Sequence, residues 1–364
     1  MRRILVAVLC IAAAIGCAAP SPTARTPVAS SQSIGGLNTA GTPLPTVALG
    51  GVGGKIVFAR EGKLVAMEAG RTSTIVQAPA GAVIRAPAWS PDGGSVAYAL
   101  SPPRGTPRAG RPSLAELPTS DIMVASADGS GQRVLVAHDG PGGQLESPAW
   151  LPDGRGLLYG YYRPIYNGEQ FVEDRIEIRR LDLASGVSTT VTRGASNPAV
   201  SPDGRQVAYI GEDTTQGPSL RVAAIDGGAE RLLTKPNTFQ QMQAPAFSPD
   251  GQTIVVSAVV IPRAQATDSS AAFWSKVDHI RGLLTPIRAE AHGNPWEIWI
   301  VPVAGGSPRQ VTQIGEDEPV ARWSADGGRL LVLGAGGLYV IDMRASVTYF
   351  ASTEGGSLGL DWRS

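Results

Sequence analysis

A four-residue turn that recurs between hydrophobic runs constrains the fold of this chain more than any other feature. In its full form the turn reads Ser-Pro-Asp-Gly or Leu-Pro-Asp-Gly and follows Pro-Ala and a Trp, Phe or Val residue. Pro sets φ near about −65° at the second turn position, Asp suits the third, and Gly takes the left-handed position that closes a hairpin. The pattern predicts two strands joined by a tight turn. Five copies lie at 86–93, 147–154, 197–204, 244–251 and, in drifted form, 321–327.

The two ends of the chain supply a sixth unit. Residues 55–59 look like the run that elsewhere follows the turn, but no first strand precedes them. The last residues, 358–364, look like that missing strand, since Trp362 stands where Trp89 stands in its copy. With four strands in each unit, the sequence predicts an all-β, six-bladed propeller over 54–364, and its first blade is closed by the C-terminal strand.

The repeat resembles that of the TolB-type six-bladed β-propellers, which carry a Trp/Phe-Ser-Pro-Asp-Gly turn. The match is clearest at Trp89–Gly93 and Phe247–Gly251 and covers nearly all of 54–364. The resemblance implies the propeller fold. It implies several possible functions, because scaffolds, peptidase gating domains and some lyases share the repeat, and the best-known propeller of the family binds envelope partner proteins.

The N-terminus resembles a bacterial lipoprotein signal. A basic start is followed by an apolar run over 4–15 and then by Gly16 and Cys17. We expect a signal peptide at 1–16, lipidation at Cys17 and a disordered Pro/Ser/Thr/Gly linker over 17–53. The protein would then lie in the cell envelope, anchored to the extracytoplasmic side of a membrane by lipid only. The alternative is an ordinary secretory signal that is cut nearby.

The charge balance limits the classes of partner. The chain has 31 Lys and Arg against 31 Asp and Glu, which argues against a nucleic-acid binder that uses a broad basic surface. No phosphate-cradling loop or dinucleotide motif occurs, so no cofactor is predicted. We expect a monomer.

The acids of the repeated turns are interpreted as structural. Acid–base chemistry or a metal needs carboxylates that converge within a few ångströms, whereas equivalent positions on different blades are spread around the ring. We therefore predict no catalytic residue and no metal site among them. The turn acids are Asp92, Asp153, Asp203, Asp250 and Asp326.

Histidine bears on the main alternative, a propeller lyase or hydrolase acting on envelope or extracellular carbohydrate. Lyases of the oligogalacturonate type would gather several His near the central channel. This chain has His138, His279 and His292, and no two of them have a short metal-ligand spacing. A metal held by channel-lining His, Glu or Arg would favour the lyase, and a channel lined by small groups would favour a scaffold. A peptidase-type propeller acting in trans is a further alternative.

The residues that begin the innermost strands are the candidate ligand-binding groups. In a propeller these strands line the central channel, so a ring of polar groups there could bind a peptide or a sugar, or could be a hydrated pore entrance. The channel-mouth candidates are Arg85, Glu146, Ser196, Gln243 and Glu318.

A second departure from the repeat lies beside the closure. The residue before the aromatic position is Ala in four copies, but it is Arg322 and Asp361 in the last two. These two copies would be neighbours in the ring. We predict an Arg322–Asp361 ion pair that holds the closure together, and loss of one partner should destabilise the fold by several kcal/mol, about 3–5.

Insertions at 101–119, 161–174 and 262–294 break the regular spacing. In the longest, Phe273, Val277, Ile280 and Leu284 recur at helical spacing, which predicts one short amphipathic helix in blade 5. The helix could pack over a blade edge, or it could act as a lid or a partner contact. Taken together, the sequence predicts a non-catalytic envelope lipoprotein that binds a protein or peptide partner.

Overall fold

The computed structural model describes residues 37–49, 52–103, 114–168, 170–213, 217–260, 296–353, 355–356 and 358–363. The expected signal peptide, the expected lipidation site at Cys17 and the expected helix within 262–294 lie outside the described residues, so each stays a prediction. No described helix is long and apolar enough to cross a bilayer.

Six antiparallel sheets of four strands make up the fold, as predicted. Within each blade the strands follow one another from the innermost outwards. Blade 1 contains β24 (Leu360–Arg363), β1 (Lys55–Arg60), β2 (Lys63–Glu68) and β3 (Arg71–Gln77). Blade 2 contains β4 (Val83–Trp89), β5 (Ser95–Ser101), β6 (Asp121–Ser126) and β7 (Arg133–Val136). Blade 3 contains β8 (Gln144–Trp150), β9 (Gly156–Asn167), β10 (Gln170–Asp182) and β11 (Ser188–Arg193).

The remaining three blades follow in chain order. Blade 4 contains β12 (Ala195–Val200), β13 (Gln206–Asp213), β14 (Gly217–Ala224) and β15 (Arg231–Leu232). Blade 5 contains β16 (Phe239–Phe247), β17 (Thr253–Val260), β18 (Glu297–Pro302) and β19 (Arg309–Gln310). Blade 6 contains β20 (Val320–Trp323), β21 (Arg329–Gly334), β22 (Gly337–Asp342) and β23 (Val347–Ser352). A 3-10 turn, Leu114–Glu116, lies between β5 and β6.

The C-terminal strand closes the ring, as the sequence predicts. β24 pairs antiparallel with β1, and Trp362 stands opposite Ile56. The indole N–H of Trp362 donates to the carbonyl oxygen of Gly53 at 3.0 Å. The first and last strands of the chain therefore share the sheet of blade 1, and their backbone hydrogen bonds close the ring.

Apolar side chains fill the spaces between successive blades. Tyr98, Tyr159 and Tyr209 occupy the second strands of blades 2, 3 and 4, and each is at most 1% exposed. The cluster between blades 2 and 3 contains Ala97 and Ile122 on one side and Leu157 on the other. Each sheet thus buries both faces against its neighbours, which explains why the second strands read as nearly continuous apolar runs.

Residues 44–49, which fall within the expected linker, pack against blade 6. Leu37 pairs with Pro43, and Thr46 lies parallel to Phe350 of the outermost strand of blade 6. The Val47 N–H donates to the Phe350 carbonyl oxygen at 3.1 Å, and Leu44, Val47 and Leu49 pack against the buried clusters of this blade. Low charge and few aromatic residues predicted a tether over 17–53. The sequence could not show that Leu44, Val47 and Leu49 pack against blade 6, because its outermost strand becomes a neighbour of this segment only in the folded ring.

Candidate functional site

The two faces of the propeller differ in regularity. The inner strands begin at one face, which we call the mouth face, and end in the repeated turns at the other, the turn face. The second strands also end at the mouth face and the third strands begin there, as in blade 5, where Phe239 at the start of β16 pairs with Val260 at the end of β17. The long connections 102–120 and 261–296 therefore start and end at the mouth face.

The insertion predicted at 161–174 is an extension of blade 3 at the same face. β9 and β10 run past their neighbours as a two-stranded hairpin, in which Phe171 pairs with Tyr166. The two rings meet edge to face with centroids 5.8 Å apart, and Phe171 remains 46% exposed. Nearer the body of blade 3, the Arg163 guanidinium of this hairpin lies 3.5 Å from the Asp139 carboxylate. All three departures from regular spacing thus border the mouth.

The predicted channel-mouth residues include three that influence one another electrostatically. Arg85 is the third residue of the inner strand of blade 2 and donates to the Ser101 hydroxyl at 3.3 Å. Burial lowers the pKa of Arg85 below its ordinary value, while the nearby carboxylates of Glu146 and Glu318 raise it. Residues from blades 2, 3 and 6 therefore share one electrostatic environment, which the strand positions in sequence could not show.

The other two predicted residues belong to blades 4 and 5. The Ser196 hydroxyl donates to the Glu212 carboxylate at 2.6 Å, which adds an acid that the sequence did not point to. Gln243 pairs with Ser257 on the neighbouring strand. The side-chain nitrogen of Gln243 and the hydroxyl of Ser257 are both buried, and neither has a hydrogen-bond partner among the described residues. Ser257 is only 1% exposed, so its hydroxyl is shielded from bulk solvent.

A second set of residues lies next to the channel-mouth candidates along the chain, and Glu318 is the one member of it that was predicted from the sequence. In four blades the residue before the repeated Pro has a left-handed backbone, and the pairing register shifts there as in a β-bulge. We use the name waist ring for these four residues together with Glu318 and Gly359, which also have positive φ and lie just before the inner strands of blades 6 and 1. The Pro that follows was the available signal, because it cannot donate to the ladder and is typical of a bulge. The waist ring consists of Ala86, Ser147, Asn197, Ala244, Glu318 and Gly359.

The waist ring is closely packed and mostly small. The Asn197 amide oxygen lies 3.5 Å from the Ser147 hydroxyl and 3.4 Å from the backbone nitrogen of Ala244. The Ala86 N–H donates to the carbonyl of Leu358, next to Gly359, at 2.6 Å. Glu318 is the one ionisable member of this ring.

The aspartates of the repeated turns accept hydrogen bonds from other residues of the same turns. In four turns the serine hydroxyl donates to the aspartate, at 2.5 Å for Ser90 and Asp92. The same carboxylate accepts a backbone N–H from two residues on, such as that of Gly94 at 2.9 Å. The serine hydrogen bond is the main cause that lowers the aspartate pKa below its ordinary value of 3.8 in Asp92, Asp203, Asp250 and Asp326. Asp153 makes the backbone contact to Arg155 at 2.9 Å, with Leu151 in place of the serine.

Replacing Ser90 with alanine is expected to raise the pKa of Asp92 towards 3.8, because its largest stabilising hydrogen bond is removed. A lowered pKa in the folded state contributes stability above the unfolded value and loses it as the pH falls through the folded value. The stability difference between wild type and Ser90→Ala should therefore shrink below pH 3.8. Carboxyl NMR titration would measure the shift, with Asp250 as the internal control. An unchanged Asp92 titration would contradict the assignment.

The predicted closure pair is brought together. The Arg322 Nε lies 3.6 Å from the Asp361 Oδ1, and each side chain is about a quarter exposed, at 25% and 23%. The other carboxylate oxygen of Asp361 accepts the backbone N–H of Trp89 at 2.8 Å. Asp361 therefore links blade 1 to both of its neighbours. The stabilising effect of the pair stays a prediction.

The described histidine belongs to the outer part of blade 2. His138 follows the outermost strand of blade 2, and its Nδ1 lies 2.6 Å from the Asp121 carboxylate. His279 and His292 lie outside the described residues. Within the ranges that the structure describes, no group of three or more His, Cys, Asp or Glu side chains could hold a metal ion.

Comparison with known proteins gives a partial sequence match. No family model matches the chain. The Tol-Pal system protein TolB of Francisella tularensis subsp. tularensis is 31% identical over 109 residues, which is 29% of this chain and 23% of that protein. The match therefore spans about a quarter of the length of this curated relative.

Two solved structures superpose at low identity. TolB from Acinetobacter baumannii is 16% identical, with a TM-score of 0.49 over 81% of this chain and 62% of that one. An oligogalacturonate lyase in complex with manganese is 14% identical, with a TM-score of 0.48 over 87% of this chain and 77% of that one. The fold assignment rests on the strand pairing itself. With its strands in six four-stranded sheets and the 109-residue match, the chain is a six-bladed β-propeller that is similar in sequence to TolB.

Proposed function

We propose that the protein is a non-catalytic interaction module of the cell envelope whose mouth face binds a protein or peptide partner. The observation that carries the proposal is that all three departures from the regular strand spacing border one face. The mouth face has the half-buried Arg85 beside Glu146 and Glu318, the ends of both long connections and the extended hairpin of blade 3. At the turn face, blades 2 to 6 repeat a similar turn whose aspartate accepts hydrogen bonds within the turn. Irregular connections on a rigid scaffold are where proteins usually place binding groups.

The partial similarity to TolB supports an envelope setting for this role, because that relative is described as a Tol-Pal system protein. Lipidation at Cys17 would hold the propeller at a membrane, and the segment before Leu37 would serve as the tether.

A photo-crosslinking amino acid tests which face is used. Gln241 and Gln252 are both exposed glutamines of blade 5, but Gln241 lies at the mouth face and Gln252 lies at the turn face. We expect a crosslinker at Gln241 to give a discrete covalent adduct in intact cells, and the same group at Gln252 to give none. Adducts of equal yield from both positions, or from Gln252 alone, would overturn the proposal.

A further inference from the structure

We propose that the extended hairpin of blade 3 is a main contact for the partner protein, which receives the tip of this hairpin in an apolar pocket with a basic rim. The inference rests on the proposed function and adds which surface the partner meets and which chemistry the partner presents. It is carried by the shape of the hairpin, the exposure of its apolar tip and the acids beside that tip.

The hairpin projects from the body of blade 3. The inner strand β8 begins at Gln144, opposite Tyr162, and the outermost strand β11 ends at Arg193, opposite Glu177. Beyond these two pairs, the described parts of β9 and β10 pair only with each other. The hairpin is therefore the part of blade 3 that a partner approaching the mouth face meets first.

Contacts with the rest of the protein hold the hairpin in one conformation. A two-stranded hairpin alone is marginally stable in water. Here Pro164 is buried, and its ring lies so close to Gly142 that a Cβ added there would meet it at 2.7 Å. Within the hairpin, the Tyr162 hydroxyl donates to the Asp174 carboxylate at 2.8 Å. A surface that is already ordered loses little conformational entropy when it binds.

Apolar side chains are exposed at the end of this hairpin. We use the name hairpin tip for Tyr166, Phe171 and Val172. Phe171 is 46% exposed and Val172 is 56% exposed. The pairing register shifts between Phe171 and Glu173, so Val172 has no cross-strand partner, and a bulge of this kind redirects side chains. Neighbouring exposed apolar side chains on an ordered projection are typical of a protein contact, because burial in a partner removes them from water.

The backbone of the hairpin is less suited to binding than its side chains. Pro164 in β9 has no N–H to donate, and proline in an edge strand disfavours pairing with a further strand. We therefore expect the partner to bind the hairpin tip in a pocket and not to extend the sheet.

The two residues that follow the hairpin tip are acidic. Glu173 and Asp174 are both exposed. The cations of the hairpin, Arg163 and Arg175, lie nearer the blade body, each beside an acid of blade 3 or of the connection before it. Lysine or arginine at the rim of the partner's pocket would complement the acids beside the tip. The same acids would be repelled by anionic lipid headgroups, which favours a protein over a membrane as the occupant.

A photo-crosslinking amino acid at Gln170, which is exposed beside Phe171, tests the contact in intact cells. We expect an adduct of the same mass as that from Gln241. Phe171→Ser and Val172→Ser should each lower its yield about tenfold. Val187→Ser is the matched control, because Val187 is also 56% exposed and belongs to blade 3, but follows the end of β10 at the turn face. It should leave the yield unchanged.

The chemistry of the pocket is tested on the protein that the adduct contains. The crosslinked residues should lie in an apolar pocket bordered by Lys or Arg. With both proteins purified, Glu173→Gln should weaken binding and reduce its dependence on salt. A polar attachment site, or a salt dependence that Glu173→Gln leaves unchanged, would contradict the proposed pocket.

Other results would overturn the inference as a whole. Equal yields from Val172→Ser and Val187→Ser, with the Gln241 adduct intact, would reject the hairpin tip and leave the proposed function standing. Absence of an adduct from both Gln170 and Gln241 would reject the proposed function itself. Binding to vesicles of phosphatidylcholine and phosphatidylglycerol that Phe171→Ser abolishes would make a membrane the occupant. A dimer in sedimentation that Phe171→Ser dissociates would make a second copy of the chain the occupant.

Discussion

Replacing Asp361 with alanine should lower the free energy of unfolding by about 3 kcal/mol. The substitution leaves the Arg322 guanidinium, 25% exposed, without its carboxylate and removes the acceptor of the Trp89 N–H. Burial raises the pKa of Asp361 above its ordinary value and lowers that of Arg322, so each charge is costly to the folded state when its partner is absent. Urea unfolding at neutral pH measures the loss.

The double variant Arg322→Ala/Asp361→Ala is the informative control. Four other blades have alanine at this position, so the double variant returns both blades to the repeat and should recover most of the lost stability. Asp361→Asn separates the contribution of the ion pair from that of the hydrogen bond. Its amide oxygen can still accept the Trp89 N–H, but the negative charge opposite Arg322 is gone. Strictly additive losses in the cycle would show that the two side chains do not interact. The four alanines are Ala88, Ala149, Ala199 and Ala246.

Replacing Gly359 with alanine should cost about 3–5 kcal/mol or prevent folding. A Cβ at this position would lie 2.7 Å from both the Cα and the nitrogen of Ala86 and 2.9 Å from the Cδ of Pro87. The backbone at Gly359 also has φ of +117°, which residues with a side chain rarely adopt. Relief would require the inner strands of blades 1 and 2 to move apart at the waist, against the hydrogen bond from Ala86 to Leu358. Soluble yield and thermal unfolding measure the effect.

Gly154 provides the matched control for this prediction. It also has a positive φ, at +69°, but a Cβ there would meet nothing within 4 Å. Gly154→Ala should therefore cost only the backbone strain, about 1 kcal/mol. Similar losses at Gly154 and Gly359 would mean that the close approach of the strands does not limit stability at the closure.

The turn pattern was sufficient to predict the architecture because its chemistry is local. Pro, Asp and Gly at fixed positions define a hairpin whatever surrounds them, and five hairpins with one pair of matching ends leave a closed six-bladed ring as the simplest arrangement. The pairing of β24 with β1 confirms this prediction. Four channel-mouth candidates could be named for the same reason, since Arg85, Glu146, Ser196 and Gln243 each lie seven residues before the Asp of their turn. Glu318 lies eight residues before Asp326.

The composition of the mouth could be predicted only in part. Glu212 was missed because it comes from the second strand of blade 4, and only the register places it beside Ser196. The left-handed bulges were missed because Ala86 and Ala244 give no sign of positive φ by residue type. The docking of Leu44 on blade 6 depends on an edge strand some 300 residues later in the chain, about the full length of the propeller.

By itself, the sequence determined the repeated turn, the number of blades and the end-to-end closure, because each follows from residue types at short, fixed spacing. Tertiary structure decided which side chains meet. It brought Arg85, Glu146 and Glu318 from three blades into one electrostatic environment and placed Arg322 beside Asp361. Such contacts depend on the curvature and register of the whole ring, in which residues far apart along the chain become neighbours. Coulomb forces and hydrogen bonds act over those distances in space and not over distances in sequence.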